Sequence, residues 1–231
     1  MPADRGRVVR AATAETLGTA FLLAGVVGSG VMAERLTEDV GVALWANTAA
    51  TGAILVVLIT TLGPISGAHF NPAVTLAMLV RRRITAATAL SYVLAQCAGG
   101  LAGVAAAHLM FEAPLVQVSQ RARDGGAQVF AEGVATFGLV LFIFLAVRFR
   151  TGAVAWIVGL YITSAYWFTA STSFANPAVT LARAFTDSFS GIRPDDVPAF
   201  VGAQVAGALL AAVTAAALAP SLASDEPPAE L

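Results

Sequence analysis

Two carboxylates, Glu15 and Glu132, lie inside long apolar runs of the 231-residue sequence, and each follows an alanine. An ionisable side chain in such a setting is costly and faces the protein interior or a water-filled cavity. It can accept hydrogen bonds or relay a proton, and the residues alone leave both roles open. Two Asn-Pro-Ala triplets, Asn71-Pro72-Ala73 and Asn176-Pro177-Ala178, each open a short apolar segment. Asn is a good helix N-cap, and Pro fits the first helical position because that N–H has no partner. Other chemistry is thinly supplied. The lone Cys97 lies in an apolar stretch, so it forms no internal disulfide and reads as a small hydrophobe on a helix. His69 and His108 are far apart in sequence, and no metal site is expected. His69 reads as a loop-ordering residue rather than a ligand or base, and His108, near the end of an apolar run, as an interfacial side chain. No nucleophile, base and orienting group come together and there is no phosphate loop. No catalytic residue and no cofactor are expected.

The segments that must position these residues are built for a bilayer. The sequence is 58% hydrophobic and 12% charged, about half the charge of an average soluble domain. A net charge of -1 suggests no nucleic-acid partner. A spanning helix needs about 20 mostly apolar residues. Six stretches qualify: 11–33, 42–62, 85–110, 128–148, 152–170 and 197–219. Their backbones must be satisfied internally, hence helices. The first run is too long for a signal-peptide core of about 7–15 residues and reads as an uncleaved span. Residues 1–10 and 220–231 read as short solvated tails of a single domain covering 1–231. Two further segments, Asn71–Val80 and Asn176–Phe185, are too short to span and read as half-length helices entered from loops. Short, Pro-interrupted apolar segments at matching places in two halves point to a solute pathway.

All 13 basic residues are Arg. With a cytoplasmic N-terminus, the inner side holds Arg5, Arg7, Arg10, Arg81, Arg82, Arg83, Arg148 and Arg150. Arg35, Arg121, Arg123, Arg183 and Arg193 remain for the outer side. This excess follows the positive-inside rule. It predicts a multi-pass protein of the plasma (inner) membrane with both termini cytoplasmic. Trp45, Trp156 and Trp167 read as interface anchors, and glycines such as Gly18, Gly99, Gly103 and Gly133 as sites of close helix approach.

The halves, about 11–110 and 128–219, repeat three marks in the same order. Ala14-Glu15 matches Ala131-Glu132. Asn71-Pro72-Ala73-Val74-Thr75-Leu76-Ala77 matches Asn176-Pro177-Ala178-Val179-Thr180-Leu181-Ala182. Ala95-Gln96 with Ala98-Gly99 matches Ala203-Gln204 with Ala206-Gly207. Each half holds an odd number of spans, so the second enters the membrane inverted. An inverted repeat brings the half-helix N-termini together near mid-bilayer.

The doubled Asn-Pro-Ala motif, together with Ile65-Ser66-Gly67-Ala68-His69-Phe70 before the first, resembles the aquaporin and aquaglyceroporin superfamily over residues 11–219. Within it, the chain is most similar to bacterial members associated with arsenic resistance. The resemblance implies an all-α membrane fold of six transmembrane helices plus two re-entrant half-helices. It also implies a homotetramer with one pore per subunit for small neutral solutes. Asn71 and Asn176 would donate amide hydrogens to the solute and break any proton wire. Glu15 and Glu132 would brace the pore loops, with Gln96 and Gln204 as polar glue. The loops Gly63–Phe70 and Ser171–Ala175 would show carbonyls to the lumen, where Gly67 supplies backbone freedom.

The sequence departs from the family at the outer filter. Where the family places Arg after the second triplet, this chain has Val179, and counting back gives Thr51, Ser164 and Ser173 for the other positions. That set is small and lacks the cationic donor. It predicts a wide neck passing water, glycerol, urea, undissociated arsenite or methylated arsenicals. Alternatively Tyr166, Phe174 or Arg183 refills the space and leaves a strictly water-selective pore. A proton-coupled secondary transporter is a rival reading, since transporters also use inverted repeats and broken helices. Ser173 stands where some family members carry a mercury-sensitive Cys, so weak mercury inhibition is expected.

Overall fold

A computed structural model describes residues 5–220. The readings for residues 1–4 and 221–231 lie outside the described residues. Six helices are long and apolar enough to cross a membrane. They are α1 (Arg5–Leu36), α2 (Val40–Ser66), α4 (Ala86–Met110), α5 (Gly126–Phe149), α6 (Val154–Phe168) and α8 (Val197–Leu218). Two short helices, α3 (Pro72–Val80) and α7 (Pro177–Arg183), interrupt each half. Every expected span and half-span is a helix.

Three boundaries differ from the sequence reading. Residues 5–10 belong to α1 rather than to a solvated tail. Gly63–Ser66, expected in the first pore loop, continues α2 with Pro64 inside it. A membrane helix tolerates Pro where neighbouring groups meet the freed carbonyl. Gly67 then ends α2 in the left-handed region, at φ 86°, and donates its N–H to the Gly63 carbonyl at 2.8 Å. The first pore loop is therefore only residues 67–71. On the other side, α7 stops at Arg183, two residues short of the expected end.

The repeat is expressed as matching helix pairs. α1 packs along α4, and α5 along α8. Gly99 and Gly103 of α4 press against the Thr16 and Ala20 carbonyls of α1, and Gly207 of α8 against the Gly133 carbonyl of α5. Added Cβ atoms there would collide with backbone. In a bilayer such contact, rather than exclusion of water, drives association. α6 has 15 residues, or about 22 Å at 1.5 Å per residue. Residues 169–176 follow it as the non-helical second pore loop. α3 packs on α8 and α7 on α4, so each half-helix rests on a helix of the opposite half.

Candidate pore and its outer neck

The half-helices begin as their triplets dictate. Asn71 and Asn176 are extended N-caps, and Pro opens each helix. Asn71 Oδ1 accepts from Ala73 N at 2.8 Å, and Asn176 Oδ1 from Ala178 N at 3.0 Å. Their amide nitrogens reach across the centre. Asn71 Nδ2 donates to the Ala175 carbonyl at 2.7 Å, and Asn176 Nδ2 to the Phe70 carbonyl at 2.8 Å. A carboxamide NH₂ has two hydrogens, so one on each residue is left after this exchange.

The buried carboxylates hold the loops that precede these caps. Glu15 accepts from Ser66 Oγ (2.6 Å), His69 N (3.0 Å), Phe70 N (2.7 Å) and Gln96 Nε2 (2.8 Å). Glu132 accepts from Phe174 N (2.8 Å), Ala175 N (2.8 Å) and Gln204 Nε2 (2.6 Å). Each glutamine also donates to the half-helix threonine, Gln96 to Thr75 at 3.0 Å and Gln204 to Thr180 at 2.8 Å. The two assemblies share two loop N–H groups, a glutamine and a threonine each, and Glu15 alone adds the Ser66 hydroxyl. They hold Ala68, Phe70, Ser173 and Ala175 at φ between 47° and 50°, a left-handed backbone that costs a non-glycine residue of order 1–3 kcal/mol. His69 joins the Glu15 assembly through Nδ1, 3.0 Å from Thr75 Oγ1, with its ring edge-on to Tyr92. His108, expected at the interface, is instead buried against the Leu115 carbonyl and Thr186 Oγ1. There it ties the end of α4 to the connections that follow α4 and α7.

The outer neck differs in part from the count made along the sequence. Thr51, Ser173 and Val179 are buried, and the Ser173 hydroxyl has no partner. Ser164 is not brought to Thr51. It lies on the exposed face of α6 with Trp156, Leu160 and Trp167, and its hydroxyl returns to the Tyr161 carbonyl. Two residues along a helix are a rotation of about 200°, so Tyr166 occupies the opposite, buried face. Its hydroxyl is 3.2 Å from Thr51 Oγ1. Counting back from the triplet assumes a fixed path between α6 and α7, and along this path Tyr166 rather than Ser164 meets Thr51.

Phe174, beside Ser173, gathers two guanidinium groups. Arg183 Cζ is 3.4 Å from the ring centroid and Arg123 Cζ 4.7 Å. Arg123 comes from the connection between α4 and α5. It donates from Nε to the Gly191 carbonyl (2.7 Å), from Nη1 to Ser171 O (3.2 Å) and from Nη2 to Phe189 O (3.3 Å). Its backbone N–H donates to Asp196 Oδ2 at 2.8 Å. Burial, then the charges of Arg183 and Arg121, hold the Arg123 guanidinium well below the usual arginine range. Sequence reading did not single out Arg123, because an Arg in a polar connection carries no spacing signal. Cys97 is half-buried on α4. Among the described residues no cluster of His, Cys, Asp or Glu is suited to a metal ion.

Comparison with known proteins agrees with this architecture. Residues 3–152 match the family model described as major intrinsic protein. The chain is 60% identical over 204 residues to the aquaglyceroporin AqpS of Rhizobium meliloti, covering 88% of both chains. It is 32% identical over 212 residues to the glycerol uptake facilitator protein-like 6 of Lactiplantibacillus plantarum, covering 87% of this chain and 94% of the relative. The X-ray structure of the aquaglyceroporin from Plasmodium falciparum superposes with a TM-score of 0.73 at 20% identity, covering 93% of this chain and 98% of that one.

Proposed function

The chain belongs to the major intrinsic protein family, and on that premise we propose a passive channel with a neck permissive enough for solutes larger than water. Glycerol leads, followed by urea, undissociated arsenite and methylated arsenicals. The observation that carries this reading is the facing pair of asparagines. Asn71 and Asn176 are each fixed by a bond to the opposite loop, and each retains a hydrogen for a passing hydroxyl. The 60%-identical relative named an aquaglyceroporin supports glycerol over water alone.

In this reading Thr51, Ser173 and Val179 form the neck with Tyr166 in place of Ser164. α7 enters from the outer face and α3 from the inner one. Both termini are cytoplasmic, and four copies assemble with one pore each.

Stopped-flow light scattering tests the solute range. Proteoliposomes mixed into hyperosmotic glycerol are expected to shrink and then reswell faster than empty vesicles. Fast shrinkage without accelerated reswelling would mean a water-selective pore, the result favoured if Tyr166 closes the neck against Thr51.

A further inference from the structure

We propose that Arg183, one turn beyond the second Asn-Pro-Ala triplet, supplies the cationic hydrogen-bond donor of the outer neck, and that Arg123 and Phe174 position it. This assignment rests on the channel reading above and names a selectivity residue within it.

Val179 occupies the first helical position after the triplet and carries no charge. Arg183 is four residues further on, so it shares the same face of α7. Side chains on a helix lean toward its N-terminus. For α7 that direction runs back along the Val179 face toward the asparagines. A long side chain from position 183 therefore returns its guanidinium toward the level that Val179 leaves uncharged.

The surroundings of Arg183 are those of a held donor. It is 2% exposed, yet no carboxylate lies within ion-pair distance among the described residues. Nε donates to the Ser190 carbonyl, which anchors one edge. The flat face lies on Phe174, an arrangement that stabilises a guanidinium without using its N–H groups. Nη1 is buried with no hydrogen-bond partner. A charged donor left unmet in the interior is costly unless another acceptor takes the bond. A solute hydroxyl or oxyacid oxygen in the neck is such an acceptor. The nearby carboxylate, Glu132, accepts from Phe174 N, Ala175 N and Gln204 Nε2 and makes no ion pair with Arg183.

Arg123 plays a different part. Its Nε, Nη1 and Nη2 all donate to carbonyls of the second pore loop and the following connection. Its guanidinium also covers Phe174. It fixes the ring on which Arg183 rests.

Proton leak under a clamped potential, read with a dye trapped in the same proteoliposomes, tests the assignment. Arg183→Gln is expected to raise the leak per channel by roughly tenfold, the effect of one screened unit charge on a barrier. Adding Val179→Arg to that variant is expected to restore exclusion. If Arg183→Gln does not fold, Val179→Arg alone decides, since it keeps the Arg183 side chain itself. With Arg183 at the neck, a second guanidinium on the same face is expected to cut glycerol reswelling by at least about fivefold. Unchanged leak in a folded Arg183→Gln protein, or unchanged glycerol flux in Val179→Arg, would overturn the assignment. Wild-type vesicles with neither accelerated shrinkage nor glycerol flux would instead sink the channel reading itself.

Discussion

Glu132 takes three N–H donors with one carboxylate, and the geometry leaves an amide no equivalent role. In Glu132→Gln the new NH₂ group must face Phe174 N, Ala175 N or Gln204 Nε2, which are donors themselves. At least one buried donor is then unmet, at about 1–3 kcal/mol. Glu132→Gln, and by symmetry Glu15→Gln, is expected to lower the melting temperature in detergent and reduce glycerol reswelling to the rate of empty vesicles. Wild-type flux in either variant would refute the brace. Ser173 offers a second test at this scale. Its hydroxyl is buried and unbonded, so sulfur can replace oxygen there at little cost. Wild-type flux is expected to resist mercury, because Cys97 lies on α4, outside both pore loops. Ser173→Cys is expected to make flux mercury-sensitive, and strong block of wild type abolished by Cys97→Ser would contradict this placement. The paired glutamates and triplets were legible because each has a partner in the other half. Tyr166 was legible only as one of three side chains that could refill the neck, because its place depends on a rotation about α6 that a count cannot follow, and Arg123 was not legible, because it depends on a fold-back of a connection.

At the scale of elements, short apolar segments opening with Asn-Pro-Ala fixed the half-helices from sequence, since capping and length leave them little else to be. The end of α2 was less legible. Pro64 reads as a breaker, yet the helix ends only at Gly67, where a left-handed residue is supplied. Glycines were legible in number but not in consequence. Gly99 and Gly207 abut backbone carbonyls of the partner helix, whereas nothing lies within 4 Å of a Cβ added at Gly202. Gly99→Val and Gly207→Val must therefore push α4 from α1 and α8 from α5. Both are expected to melt at least several degrees lower and to lose flux, consistent with overpacking costs of about 1–3 kcal/mol. Gly202→Ala is expected to match wild type within about 0.5 kcal/mol. Equal stability of all three would show that the helix pairs are not held by these approaches.

For the whole molecule, the inverted repeat sets both orientation and mechanism. The Arg-rich turn after α3 and the connection before α5 fall on opposite sides if the positive-inside rule holds. In a Cys97→Ser background, Arg82→Cys is expected to label only from the cytoplasm and Gln120→Cys only from outside; the reverse pattern would invert the assignment. The same symmetry bears on transport. A proton-coupled carrier needs an ionisable group free to change protonation and partners during its cycle. Glu15 and Glu132 are instead matched, fully buried and fully engaged with the two loops at once. His69 is likewise tied to Thr75. Among the described residues, freeing either carboxylate would dismantle the loop it holds. Glycerol flux is therefore expected to rise linearly with its gradient through hundreds of millimolar. An imposed difference of one pH unit, in either direction, is expected to leave the rate unchanged. Saturation at low millimolar glycerol together with acceleration by an inward proton gradient would identify a carrier, and would mean that one of these carboxylates breaks its bonds in each cycle.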